Sequence, residues 1–395
     1  VVRTGAVDEG KELREVKEDA MAESVPAIEG WRSLYQAATR LKEASPWQWM
    51  EEIDIFGVQN PETGELGFVS VMGQMGEHYA LALYLGAEGL SRFWALQTAG
   101  DDNLPDDLLN TPHLQASFED REQLTDEDRA VIKGLGLRFR GRQAWPLFRS
   151  YRPGYLPWYL EPAEARLLTC AIEQVLEVAP RLKEAPDLLN TPDEDSYVVR
   201  VPRQETGGLV WKDVIVEVPP VEPEPVRITT EAEEIKAAHR LPRTRATLEA
   251  DLFMMPGCIG ERGERPFFVY DLMLVESISG FIVGSELLDP RPGLPAMWAT
   301  VPPTLLRLLT AVRMLPAVIK VASPLLHQLL QPLGQQLGFD VKVASLPTLE
   351  QTKKDFLSMF SGSQRSSQGQ ASTPCQTCSP SKASSETRSV APSRV

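Results

Sequence analysis

The chain has 395 residues, 43% of them apolar and 24% charged, and its 40 Lys and Arg against 55 Asp and Glu leave a formal charge of −15. That length allows two or three domains with cores of their own, and the acidic balance argues against nucleic-acid binding by the whole chain, which requires a basic footprint to displace counterions from phosphates. No stretch reaches the roughly 18 uninterrupted apolar residues of a membrane-spanning helix, and four cysteines are too few and too dispersed for a disulfide framework, so a reducing, cytoplasmic setting with no membrane partner is the expectation.

The first 25 residues are charged throughout and lack a signal-peptide core, and they read as a flexible N-terminal segment. Trp31, Leu34, Tyr35, Ala38 and Leu41 then recur at helical spacing, which predicts one helix with a buried stripe that Pro46 stops. Ile55 to Val58 and Phe68 to Met72 read as two strands around the turn Asn60-Pro61-Glu62-Thr63-Gly64. Tyr79 to Leu85 is a further strand, and Gly86 and Gly89 lead into a helix over Leu90 to Gln97. Leu114 to Phe118 reads as a strand, Thr125 as the cap of a helix opening Asp126-Glu127-Asp128, and Glu161 to Val178 as the clearest helix, with Pro162 in its first turn. The hexapeptide Asp107-Leu108-Leu109-Asn110-Thr111-Pro112 recurs from Asp187 to Pro192, as a remnant of duplication or as two independent turns. This whole region, 26–215, is expected to be one mixed α/β domain.

The Pro/Glu-rich run from Val218 to Pro225 lies in a linker over 216–243. Within 244–358, Leu252 to Met255, Phe267 to Val275 and Phe281 to Leu287 read as strands. A helix over Pro303 to Leu315, a strand over Ala317 to Val321, a helix over Pro324 to Leu337, a strand over Val341 to Val343 and a last helix from Thr348 follow. The expected fold class is therefore α/β: a mixed α/β N-terminal domain and a small α/β C-terminal domain. The element order of the second is the core progression of an RNase H-like topology, and it equally suits a different small α/β sandwich. Residues 359–395 form a Ser-rich stretch expected to be disordered, with the one CxxC pair, Cys375 and Cys378, too few for a structural zinc.

Three places carry residues able to do chemistry. Trp145 to Tyr159 interleaves aromatics with Arg149 and Arg152 and follows Arg140 and Arg142. Arg140, Arg142, Arg149, Arg152, Tyr155 and Trp158 are the candidate ligand-binding residues for an anion, by charge-assisted hydrogen bonds and stacking. The alternative is a rigid loop covering the next helix or an interdomain contact. Glu77 and His78, after Gly73 and Gly76, are candidates for acid-base chemistry if both reach a cleft, and otherwise a structural turn with a surface histidine. Asp251 is suitably placed for a metal-binding carboxylate of an RNase H-like site, yet the end of the predicted fourth strand, Val321-Ala322-Ser323, supplies no carboxylate where that chemistry seeks one. No metal site or cofactor is expected, and His78, His113, His239 and His327 share no metal-ligand spacing.

Trp47-Gln48-Trp49-Met50, Phe56 to Glu65, Val71-Met72-Gly73 and the Phe139-Arg140-Gly141 to Trp158 segment, with Arg265-Pro266-Phe267-Phe268, Ser279 to Gly284 and Leu346-Pro347, resemble uncharacterised bacterial proteins that combine two domains of unknown function. The resemblance covers Pro26 to Phe356 and implies no activity and no catalytic residues. The leading expectation is a noncatalytic binding or scaffold protein whose partner is a protein or a small anionic ligand, with nucleic acid disfavoured. The alternative is an enzyme acting on an anionic or phosphorylated substrate, with a metal-dependent nuclease behind it.

Overall fold

A computed structural model describes residues 28–98, 104–221, 232–261 and 263–363. The expected flexible start at 1–25, the part of the linker over 222–231 and the Ser-rich stretch from 364 on, with Cys375 and Cys378, lie outside the described residues.

The chain is mixed α/β, built on two sheets. Helix α1 (Ile28–Ala44) buries Trp31, Leu34, Tyr35, Ala38 and Leu41, the stripe that helical spacing predicts. Strands β1 (Phe56–Gln59), β2 (Leu66–Met72) and β3 (Tyr79–Leu85) lead into α2 (Gly86–Thr98) and the short α3 (Leu104–Leu109). After β4 (His113–Glu119) comes α4 (Asp126–Gly134), where Thr125 Oγ1 accepts the Asp128 amide at 3.2 Å and the Asp128 carboxylate accepts the Thr125 amide at 3.0 Å. That reciprocal pair satisfies two amides with no partner inside the helix. Strand β5 (Trp145–Tyr151), helix α5 (Pro162–Glu184) and the hairpin β6 (Ser196–Glu205) and β7 (Gly208–Glu217) complete the region.

The seven strands stand in the order β5-β4-β3-β2-β1-β6-β7, antiparallel except for β1 beside β6. Side chains of α1 and α5 fill one core with Phe56, Val58, Leu81, Leu83 and Phe118, while Leu90 and Phe93 of α2 pack on Phe68, Ala82 and Tyr84 from the other side. Three of the strands depart from the expectation. The Trp-Pro-Leu-Phe-Arg-Ser-Tyr run is β5, an edge strand, which is where a proline without an N–H is tolerated. The β6–β7 hairpin is a two-residue turn at Gly207 flanked by Val-rich strands.

A short helix, α6 (Ala232–Ala238), contributes Ile235 and Ala238 to the second core. The second sheet is β10-β9-β8-β11-β12, from β8 (Thr247–Ile259), β9 (Phe267–Glu276), β10 (Ile282–Leu288), β11 (Val318–Val321) and β12 (Asp340–Val343). Strands β10, β9 and β8 are antiparallel neighbours, whereas β8, β11 and β12 run parallel. Helices α7 (Leu294–Ala311) and α8 (Pro324–Leu337) pack over Leu248, Ala250, Leu272 and Leu274. Helix α9 (Pro347–Ser363) sets Leu349 on Phe253, Met273 and Val275 of the opposite face. Helix α7 starts at Leu294, ahead of the expected Pro303, and carries Pro302 and Pro303 inside it. Its buried face, Met297, Val301, Leu305 and Leu309, outweighs the lost backbone bonds.

The two sheets meet along a short backbone ladder. The Phe268 amide donates to Gly154 O and the Leu156 amide to Pro266 O, both at 2.9 Å, with Tyr155 bridged to Phe267. Leu156 is buried in the second core, and Asn110 Oδ1 accepts from both the Gly154 amide (3.1 Å) and the Tyr270 hydroxyl (2.9 Å). Gly154 has φ +85°, and a Cβ there would lie 2.9 Å from Pro290 Cβ, so only glycine fits this crossing without strain.

Candidate functional site

The side chains of the aromatic and arginine segment take different partners. Arg149 grips Asp128 with two bonds, Nη1 to Oδ1 at 3.0 Å and Nη2 to Oδ2 at 2.7 Å, under the Tyr159 ring 4.9 Å away, with both charged side chains nearly buried. Burial by itself would lower the Arg149 pKa, and Asp128 more than reverses that. Arg152 donates to Glu161 at 2.6 Å and to Glu164 at 2.9 Å. Tyr155 stands in the interdomain ladder, and Trp158 exchanges backbone bonds with Ser150 while its ring meets Tyr159. Arg140 and Arg142 are exposed before β5, Arg142 with Asp120 at 3.9 Å.

A further arginine, Arg265, enters this seam from the other domain, and sequence reading named it only within a resemblance motif and not as a site residue. Its Nη2 is buried with no hydrogen-bond partner, and its pKa is brought down to about 10, first by burial and then by the charge of Arg152.

Glu77 and His78 lie on a cleft of about 400 Å³ whose wall also includes Glu51, Glu52, Gln74 and Met75. The half-exposed His78 ring has Nδ1 3.7 Å from Glu119 Oε1 and Nε2 3.1 Å from Gln115 Nε2. The Glu77 carbonyl accepts from Gln143 Nε2 at 2.7 Å. Glu119 and Gln115 are the partners that sequence reading missed: they sit on β4, and only the β3–β4 register brings them to His78. Deeper in the same sheet His113 is buried, its Nδ1 bonded to Thr111 O at 2.8 Å and its ring stacked on Tyr151 at 3.9 Å.

In the second sheet Glu249, Asp251 and Asp271 each have a structural partner. Glu249 Oε2 accepts the Leu349 amide at the start of α9 (2.8 Å), and Asp271 accepts the Ser285 hydroxyl (2.8 Å). Burial pushes the Asp271 carboxyl up. Asp251 faces Lys353 of α9 at 3.4 Å, and the same ammonium lies 4.3 Å over the Phe253 ring. Among the described residues no three His, Cys, Asp or Glu side chains converge to hold a metal. Burial pushes the Cys170 thiol up to about 12, which makes it a poor nucleophile. No described helix is long and apolar enough to cross a membrane.

Residues 31–200 match the family model described as a domain of unknown function (DUF7309), and residues 234–357 match a second, also a domain of unknown function (DUF6930). The chain thus carries two distinct domains of unknown function in tandem. No curated protein matches it.

Proposed function

We propose that the protein is a noncatalytic binding protein whose second domain is an RNase H-like fold without a working metal centre. The strand order β10-β9-β8-β11-β12, with three antiparallel strands followed by two parallel ones, supports the fold reading. The observation that carries the functional reading is the Asp251–Lys353 contact. On the central strand, where two-metal chemistry requires carboxylates open to cations, Asp251 faces a lysine ammonium from the last helix. Its neighbours Glu249 and Asp271 are likewise engaged by Leu349 and Ser285.

The test is incubation of the full chain with single-stranded, duplex and hybrid nucleic acids in Mg²⁺ or Mn²⁺. The expected result is no cleavage above the protein-free control. Metal-dependent cleavage that Asp251→Asn abolishes would overturn the reading.

One observation favours the enzyme alternative. His78 stands 3.7 Å from Glu119 on the wall of a cleft, which brings an imidazole and a carboxylate together where a substrate could exchange a proton. A turnover that His78→Gln removes, from a chain with unchanged melting temperature, would establish it.

A further inference from the structure

We propose that a crevice between the two domains binds a small α-amino acid with an apolar side chain. The proposal rests on the binding reading above and gives it a place and a ligand class. The crevice, of about 140 Å³, lies past the carboxyl end of β11, beside the stretch of β8 that continues beyond its pairing with β11. Leu252 stands two residues past Ala250, the last β8 residue paired to β11, and Ser323 two residues past Val321, the end of β11. From β8 the chain proceeds to β9 and β10 on one side, and from β11 to β12 on the other. Where β11 ends beside the continuing β8, its neighbours diverge and leave a gap, the kind of place at which open α/β sheets bind ligands. Here the first domain closes it with Arg92, Asp107 and Asn110.

The lining separates by chemistry. Leu294, Trp298, Leu326 and Leu329, from α7 and α8, form an apolar wall, against which a small apolar side chain can be removed from water. That suits the branched side chain of leucine. Asp107 is exposed and Arg92 partly so, which puts one anion and one cation at the mouth. Arg92 is steadied by Glu88, which accepts from its Nε at 3.0 Å. Asn110 Oδ1 is already engaged by Tyr270 and Gly154, which leaves its amide nitrogen as the group able to donate to a carboxylate. A guest carrying only a carboxylate meets Asp107 unfavourably, and one carrying only an ammonium meets Arg92. A zwitterion satisfies both.

The experiment is saturation-transfer NMR on the full chain with three probes: L-leucine, 4-methylpentanoate, which lacks the ammonium, and isopentylamine, which lacks the carboxylate. Leucine is expected to give saturable transfer, with each truncated probe about tenfold weaker or more. Arg92→Met should erase the preference for leucine over isopentylamine, and Asp107→Asn the preference over 4-methylpentanoate, with melting temperatures unchanged. No transfer to leucine, or equal transfer to all three, overturns the crevice assignment and leaves the noncatalytic reading standing. Chemical conversion of bound leucine overturns the noncatalytic reading instead.

Discussion

A guanidinium held by both oxygens of one carboxylate beneath a tyrosine ring has little donor capacity left for a second anion. Arg149 is in that position, so its main contribution is to stability. Arg149→Met should cost about 3–5 kcal/mol, because Asp128 is left nearly buried without its counter-charge. The exposed Arg140→Ala should change stability by less than about 0.5 kcal/mol. Urea denaturation of both variants checks the contrast. His113 sets a pH dependence. Burial brings its pKa down from 6.5 to about 4, against the Thr111 carbonyl, which acts to raise it. The unfolded chain therefore binds the proton first as pH falls, so stability declines from about pH 6.5 and the loss is complete below about pH 4, at about 3 kcal/mol. His113→Phe should flatten that part of the stability curve, and an unchanged slope would contradict the assignment.

Where apolar periodicity and caps agreed, the elements were legible: α1 from its stripe, α4 from Thr125, and α5 from Pro162 onward. The losses have physical causes. Trp145–Tyr151 looked like a loop because it carries a proline, whose missing N–H an edge strand tolerates. Pro302 and Pro303 hid the first two turns of α7, whose burial overrides the proline cost. Of the candidate site residues, His78 was readable, but Glu119 and Gln115 were not, since strand register decides which side chains meet. Asp251 was likewise readable, whereas its lysine partner lies 102 positions along the chain. Helix α9 depends on a comparable long-range contact, the Glu249 carboxylate on the Leu349 amide. Glu249→Ala leaves that buried amide unpaired and should cost about 1–3 kcal/mol. Hydrogen exchange should show it as faster exchange over 347–357, with the β9–β10 hairpin little changed.

On the scale of the whole molecule, the 154–156 ladder onto 266–268 and the insertion of Leu156 into the second core bind the two domains to each other. They should therefore unfold in one calorimetric transition. Gly154→Val puts a β-branched residue at φ +85° against Pro290, at a backbone cost of about 1–3 kcal/mol before the clash is counted. Two resolved transitions are expected for that variant, and one transition at the wild-type temperature would show that the ladder does not couple the domains. Lys353 stands against Asp251 on the carboxylate-bearing face of the second sheet, the place a metal ion would have to occupy. The most direct measurement is a Mn²⁺ titration of the full chain followed by electron paramagnetic resonance. The prediction is no site tighter than about millimolar. Stoichiometric Mn²⁺ binding at micromolar concentration, lost in Asp251→Asn, would contradict it.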